Sequence, residues 1–185
     1  MVSCSGLSLR LCEKPSVCQK RNKTLEQNNF DIKKVKVHRT TVGTIFEVAF
    51  AIVAIVVWGV IAWLIHQAPD IVPTHFDGAG NPNAFGSPTS VIIPCAILTI
   101  VAMGCMVIAY YPRLINTTTK ITNIRQVELS IRSIRVAGII LLFLALAVAY
   151  TMLGMSKPSA VPVIAVIILL ILEIIIFSIF TYKAK

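Results

Sequence analysis

Polar and apolar positions fall into blocks along this chain. Four apolar runs, about Ile45–Ile65, Val91–Tyr111, Val136–Met155 and Val161–Tyr182, are separated by polar stretches of different character. Each run is about 20 residues, the length that crosses a bilayer core at about 1.5 Å per helical residue. Local signals agree with helices. Pro94 and Pro162 fall in the first turns of the second and fourth runs, where a missing N–H costs little. Tyr110 and Tyr111 close the second run and Pro112 stops it. Trp58 and Trp63 lie toward the far end of the first run, where aromatic rings favour an interface. The pattern predicts an all-α fold: a polytopic membrane bundle of four transmembrane helices.

The polar stretches divide the chain further. Residues 1–41 form a polar, basic tail, predicted to be disordered to about Asn29. No apolar segment follows a basic start there, so the tail does not read as a cleavable signal peptide. Residues 42–111 form a two-helix unit enclosing a loop, 66–90. Residues 112–135 are polar, but Ile121, Ile124, Val127, Ile131 and Ile134 recur at three- and four-residue spacing, with Arg125, Glu128 and Arg132 opposite. That predicts an amphipathic helix lying at the membrane surface and running into the third span. Residues 136–185 form a second helix pair, joined by a tight turn from Gly154 to Pro158. Gly138, Ala145 and Ala149 on its first helix suit a close helical neighbour.

Charge adds orientation. The net charge is +9, yet only 14% of residues are charged against 56% hydrophobic. Soluble domains carry about 25% charged residues. The basic residues are not scattered. Nine Lys and Arg precede the first span, five lie between spans two and three, and two follow span four. The opposite connections hold only Lys157. The positive-inside rule places the tail, the middle segment and the C-terminus in the cytoplasm. Topology and anionic lipid then account for the charge, and no nucleic-acid partner is expected. The Asn22-Lys23-Thr24 and Asn116-Thr117-Thr118 sequons fall on the cytoplasmic side and are discounted as glycosylation sites. Cys4, Cys12, Cys18, Cys95 and Cys105 match no zinc or redox spacing and read as a reduced tail plus soft hydrophobes.

The loop Ala68–Ser90 is the most distinctive stretch. It has Pro69, Pro73 and Pro82, Gly78, Gly80 and Gly86, Asp70, Asp77 and His75, and no Lys or Arg. Turn-formers this dense between two apolar walls predict an ordered external hairpin. Val72–Asp77 extends with Pro73 on an edge, Gly78–Pro82 turns, and Asn83–Gly86 returns. Pro69, Pro73, His75, Phe76 and Asp77, then Gly80, then Phe85 and Gly86, resemble the signature of a bacterial domain of unknown function. That domain forms the N-terminal part of SdpI-type membrane proteins. The resemblance spans residues 45–111 and departs from the pattern at Asp77, Asn83 and Pro88. It implies a bacterial inner-membrane protein active in toxin immunity or envelope signal sensing, with an external peptide or toxin as partner. A homo-oligomer or another membrane protein is the further partner class.

Little else carries chemistry. His66, Asp70, His75 and Asp77 lie in or beside the loop, but their spacing is no recognised metal pattern, so neither metal nor cofactor is expected. A loop-stapling hydrogen bond from His75 is the expectation instead. No nucleophile–base or paired-carboxylate arrangement stands out, so no enzymatic activity is expected. Two acids lie within the spans. Glu47 is one turn inside the first and within reach of Arg39. Glu173 is near the middle of the fourth, where a carboxylate costs on the order of 2.5–3.5 kcal/mol unless it faces the bundle or keeps its proton. Glu173 supports an alternative function, a small transporter or transporter subunit, set against the protonated acid that simply bonds to a neighbouring hydroxyl. The basic middle segment supports a third, a membrane scaffold for a cytoplasmic partner.

Overall fold

The computed structural model describes residues 37–78, 80–115, 121–154 and 160–184. The tail before Val37, both sequons, Lys157 and most of the Gly154–Pro158 turn lie outside the described residues. The elements are α1 (Thr41–Gln67), β1 (Val72–Phe76), β2 (Pro82–Gly86), α2 (Ile92–Ile108), α3 (Ile124–Leu153) and α4 (Val161–Lys183), with short 3-10 turns at Pro88–Val91 and Pro112–Leu114. With the turn before α2 included, four helices are long and apolar enough to cross a membrane. The chain is a helical membrane bundle.

Helix starts follow from capping. Thr40 accepts from Gly43 N at 3.1 Å at the head of α1, and Asn123 accepts from Gln126 N at 2.9 Å at the head of α3. Both satisfy amides that a first helical turn leaves without partners.

α3 is the axis of the bundle. Half of its most apolar window is buried, against 6–22% in the other three spans. α1, α2 and α4 each pack on it. Small residues on α3 allow close approach: a Cβ built on Gly138 would stand 3.1 Å from the Ala102 carbonyl oxygen and 3.2 Å from Cys105 Cβ of α2. α1 and α2 reach each other by long side chains. Trp58 donates to Thr99 Oγ1 at 3.2 Å and so bridges α1 and α2 within the bundle. Cys95 is fully buried and donates from Sγ to the Ala145 carbonyl at 3.3 Å, the soft-hydrophobe role expected of it.

The segment 112–135 runs into the third span as expected, but its apolar stripe meets protein. Its amphipathic part is no separate surface helix. It is the first three turns of α3, a single 30-residue helix about 45 Å long. No Gly or Pro lies between Asn123 and Arg135 to break it. Its apolar stripe is covered by protein: Val127 and Ile131 bury against Ala109, with Val37, Ile115 and Ile121 around them. Arg125, Glu128 and Arg132 stay exposed, as the spacing predicts.

α4 is inverted relative to a soluble helix. Its buried residues are Glu173 and Thr181, while thirteen of its large apolar side chains, from Val161 to Tyr182, are turned outward. With no water-driven force between apolar helices in lipid, polar contacts hold this helix on α3. Gln126 Nε2 donates to the Thr181 carbonyl at 3.0 Å, and Asn123 Nδ2 to the Ala184 carbonyl at 2.7 Å. The head of α3 therefore meets the tail of α4. The head of α1 and the tail of α2 share this basic end, and the hairpin caps the other.

Candidate functional site

At the hairpin end, β1 and β2 pair antiparallel, Val72 opposite Gly86 and Pro73 opposite Phe85, with irregular register between Pro73 and Phe76. Bulges and prolines are what an edge-only ribbon tolerates. Three interactions lock the ribbon. His75 Nδ1 and Asn83 Oδ1 are 2.6 Å apart across the strands, the staple expected of His75. Asp77 accepts from Asn81 N at 2.8 Å, while Asp77 N donates to the Asn81 carbonyl at 2.9 Å. Gly80 turns the chain at φ +84°, a conformation that side chains resist. Val72, 1% exposed, anchors the ribbon in the main core beside Met152 and Leu153 at the end of α3. The ribbon also presents apolar surface: Phe85 is 60% exposed, and Ile71, just before β1, 69%.

Of the loop residues singled out, Pro73, His75 and Phe76 lie in β1, Phe85 and Gly86 in β2, and Asp77 and Gly80 in the turn. Pro69 lies between α1 and β1. Among the described residues, His66, Asp70, His75 and Asp77 do not gather into a group of three or more that could hold a metal ion.

Toward the basic end, Ser133 Oγ donates to Glu173 Oε1 at 2.8 Å, and Glu173 Oε2 is buried without a partner. Counting along α4 puts Glu173 mid-span. Its partner on α3, however, comes from the segment that the sequence marks as polar. Two residues further along α3, and so on another face, Arg135 is 5% exposed. Its guanidinium lies over the Tyr110 ring, 5.3 Å from the centroid. Tyr110 in turn donates to Glu47 Oε1, and Arg39 Nη2 is 3.6 Å from Glu47 Oε2. Arg39 thus does reach Glu47, but an arginine 79% exposed gives a pair of little worth. Sequence reasoning missed Arg135, Tyr110 and Ser133. The last polar residue before an apolar run was the available signal for Arg135. Ser133 had none, because its partner is 40 residues away.

Residues 52–99 match the family model described as Domain of unknown function (DUF1648). That stretch holds most of α1, the whole hairpin and the first half of α2. The chain is also 35% identical over 75 residues to an uncharacterised protein of Archaeoglobus fulgidus, a match taking in 36% of this chain and 41% of the relative. The chain thus spans about two fifths of that relative's length. No solved structure matches. This is a membrane-spanning chain with a segment similar to DUF1648.

Proposed function

We propose that the chain is a non-catalytic, SdpI-like protein of the bacterial inner membrane that senses or resists an external agent through its hairpin. The observation that carries this reading is a ribbon locked by His75–Asn83 and Asp77–Asn81 that still exposes Phe85 and Ile71. Rigid exposed aromatic and aliphatic side chains are what a peptide-binding surface uses, because little entropy is lost on binding. The orientation belongs to the same proposal: with the basic end cytoplasmic, the hairpin faces outward. An external peptide or toxin is the partner class, and a second copy or another membrane protein would associate through the outward apolar faces of α1 and α4.

The test is protection. Cells producing the wild type should survive a panel of envelope-active peptides better than cells lacking it, and Phe85→Ser should lose that protection at unchanged folded yield. Equal survival of wild type and Phe85→Ser would contradict a role for the hairpin.

A second reading, a transporter or transporter subunit, is supported by one observation: the buried, unpartnered Oε2 of Glu173. A buried acid of this kind in a span marks a proton or ion path in many membrane proteins. It predicts that Glu173→Gln abolishes solute-coupled proton uptake in proteoliposomes while Phe85→Ser does not. Absence of uptake by the wild type would remove it.

A further inference from the structure

Between the first turn of α1 and the first three turns of α3 is a half-open cavity of about 410 Å³. Its polar lining includes His38, Thr40, Glu128, Arg132 and Arg135, and its walls include Val42 and Val127. Arg135 is the unusual member. It is 5% exposed, and its Nε is buried without a hydrogen-bond partner. Among the described residues, the ion pair at this end joins Arg39 to Glu47 and leaves Arg135 without a carboxylate. The Tyr110 ring offers one face of the guanidinium a weak, partly desolvated attraction.

The surroundings raise the local positive potential. The α1 N-terminus carries partial positive charge from its aligned peptide dipoles, even with the Gly43 amide capped by Thr40. Its first turn contains no acid to offset it. That turn lies directly on Arg135: a Cβ built on Gly43 would stand 3.1 Å from both Nη atoms. Arg132, exposed and on the same helix, adds a second guanidinium at the rim, while Glu128 is the one acid in the lining. An arginine held in a cavity beside a helix N-terminus, with donors to spare, suits a phosphate group, whose oxygens match the planar fork of the guanidinium.

We propose that this cavity binds the phosphate of an anionic phospholipid headgroup, with Arg135 at its base and Arg132 at its rim. The apolar walls choose lipid over free phosphate. Val42 and Val127 flank the cavity, and Ile124, also in its lining, is 55% exposed beside them. They offer a hydrocarbon path for the glycerol and acyl chains that free phosphate would leave empty. Bound there, a lipid would join α1 to α3 at the end where few other polar contacts do so.

The test uses the purified full chain in nanodiscs of phosphatidylcholine with or without phosphatidylglycerol, and reads lipid retention by native mass spectrometry and thermal stability. The wild type should retain phosphatidylglycerol in preference to phosphatidylcholine and melt higher in its presence. Arg132→Gln removes an exposed charge and should keep its fold, yet weaken retention about fivefold, the factor that one membrane-facing basic side chain is worth. Arg135→Gln should lose the preference; Arg135→Lys, which keeps charge without the fork, should recover part of it. Helicity and size-exclusion profiles identify any variant that fails to fold. Equal retention by Arg132→Gln and wild type would overturn the proposal. So would protection by inorganic phosphate alone that equals protection by phosphatidylglycerol.

Discussion

Gly80 is where an added side chain would cost the hairpin most. At φ +84°, a β-branched residue carries backbone strain on the order of 1–3 kcal/mol. Gly78, in the same turn, has nothing within 4 Å of a built Cβ and no such angle. Gly80→Val should therefore lower the unfolding midpoint in detergent, and Gly78→Val should leave it nearly unchanged. Equal effects would deny the turn its special geometry. Gly80 and the His75 staple were readable from sequence because their constraints are local: a turn and a partner eight residues away. Ser133 and Arg135 were not. Ser133 bonds across 40 residues, and Arg135 is one of five basic residues in a segment whose charge the topology already explained. Only tertiary packing distinguishes the buried one. At Glu173, Ser133→Ala would remove its donor at a cost of about 0.6 kcal/mol, the average for interhelical hydrogen bonds in membranes. Glu173→Leu, by contrast, would extend the apolar face all round α4 and should loosen its docking on α3, seen as faster proteolysis at the α4 end.

The element that organises the rest is α3. Its apolar half was plain from composition, but its true start was not. Lipid-facing and protein-facing apolar stripes look alike in sequence, so Ile121, Val127 and Ile131 suited a helix on the membrane surface as well as one covered by Ala109 and Ile115. The close α2–α3 contact was legible as a small-residue stripe, although which helix filled it was not. It makes a direct prediction. Gly138→Val would drive a side chain into the Ala102 carbonyl and Cys105, an overpacking cost of about 1–3 kcal/mol. Gly104→Val on α2, where a Cβ meets nothing within 4 Å, should be tolerated. Unfolding curves for the two variants that coincide would contradict the packing of α2 on α3. α4 illustrates the reverse case: in an almost uniformly apolar sequence Glu173 stands out as the acid that must face the bundle, whereas Thr181, buried on the same helix, carries no such signal.

At the scale of the molecule, two chemically opposite ends are held apart by apolar spans. One end gathers Arg39, Arg125, Arg132, Arg135 and Lys183; the other presents a hairpin without Lys or Arg. Block patterning made this polarity legible early, since run length and the distribution of basic residues need no tertiary information. The central claim is a bundle that crosses the membrane four times with the hairpin outside. Single-cysteine accessibility tests it most directly, using Cys at Asn81 in the hairpin turn and at Lys183 at the exposed end of α4, each in a background with the five native cysteines replaced. With a membrane-impermeant maleimide on intact cells, Asn81→Cys should label at once, and Lys183→Cys only after the membrane is permeabilised. Labelling of Lys183→Cys in intact cells, or protection of Asn81→Cys, would contradict the account.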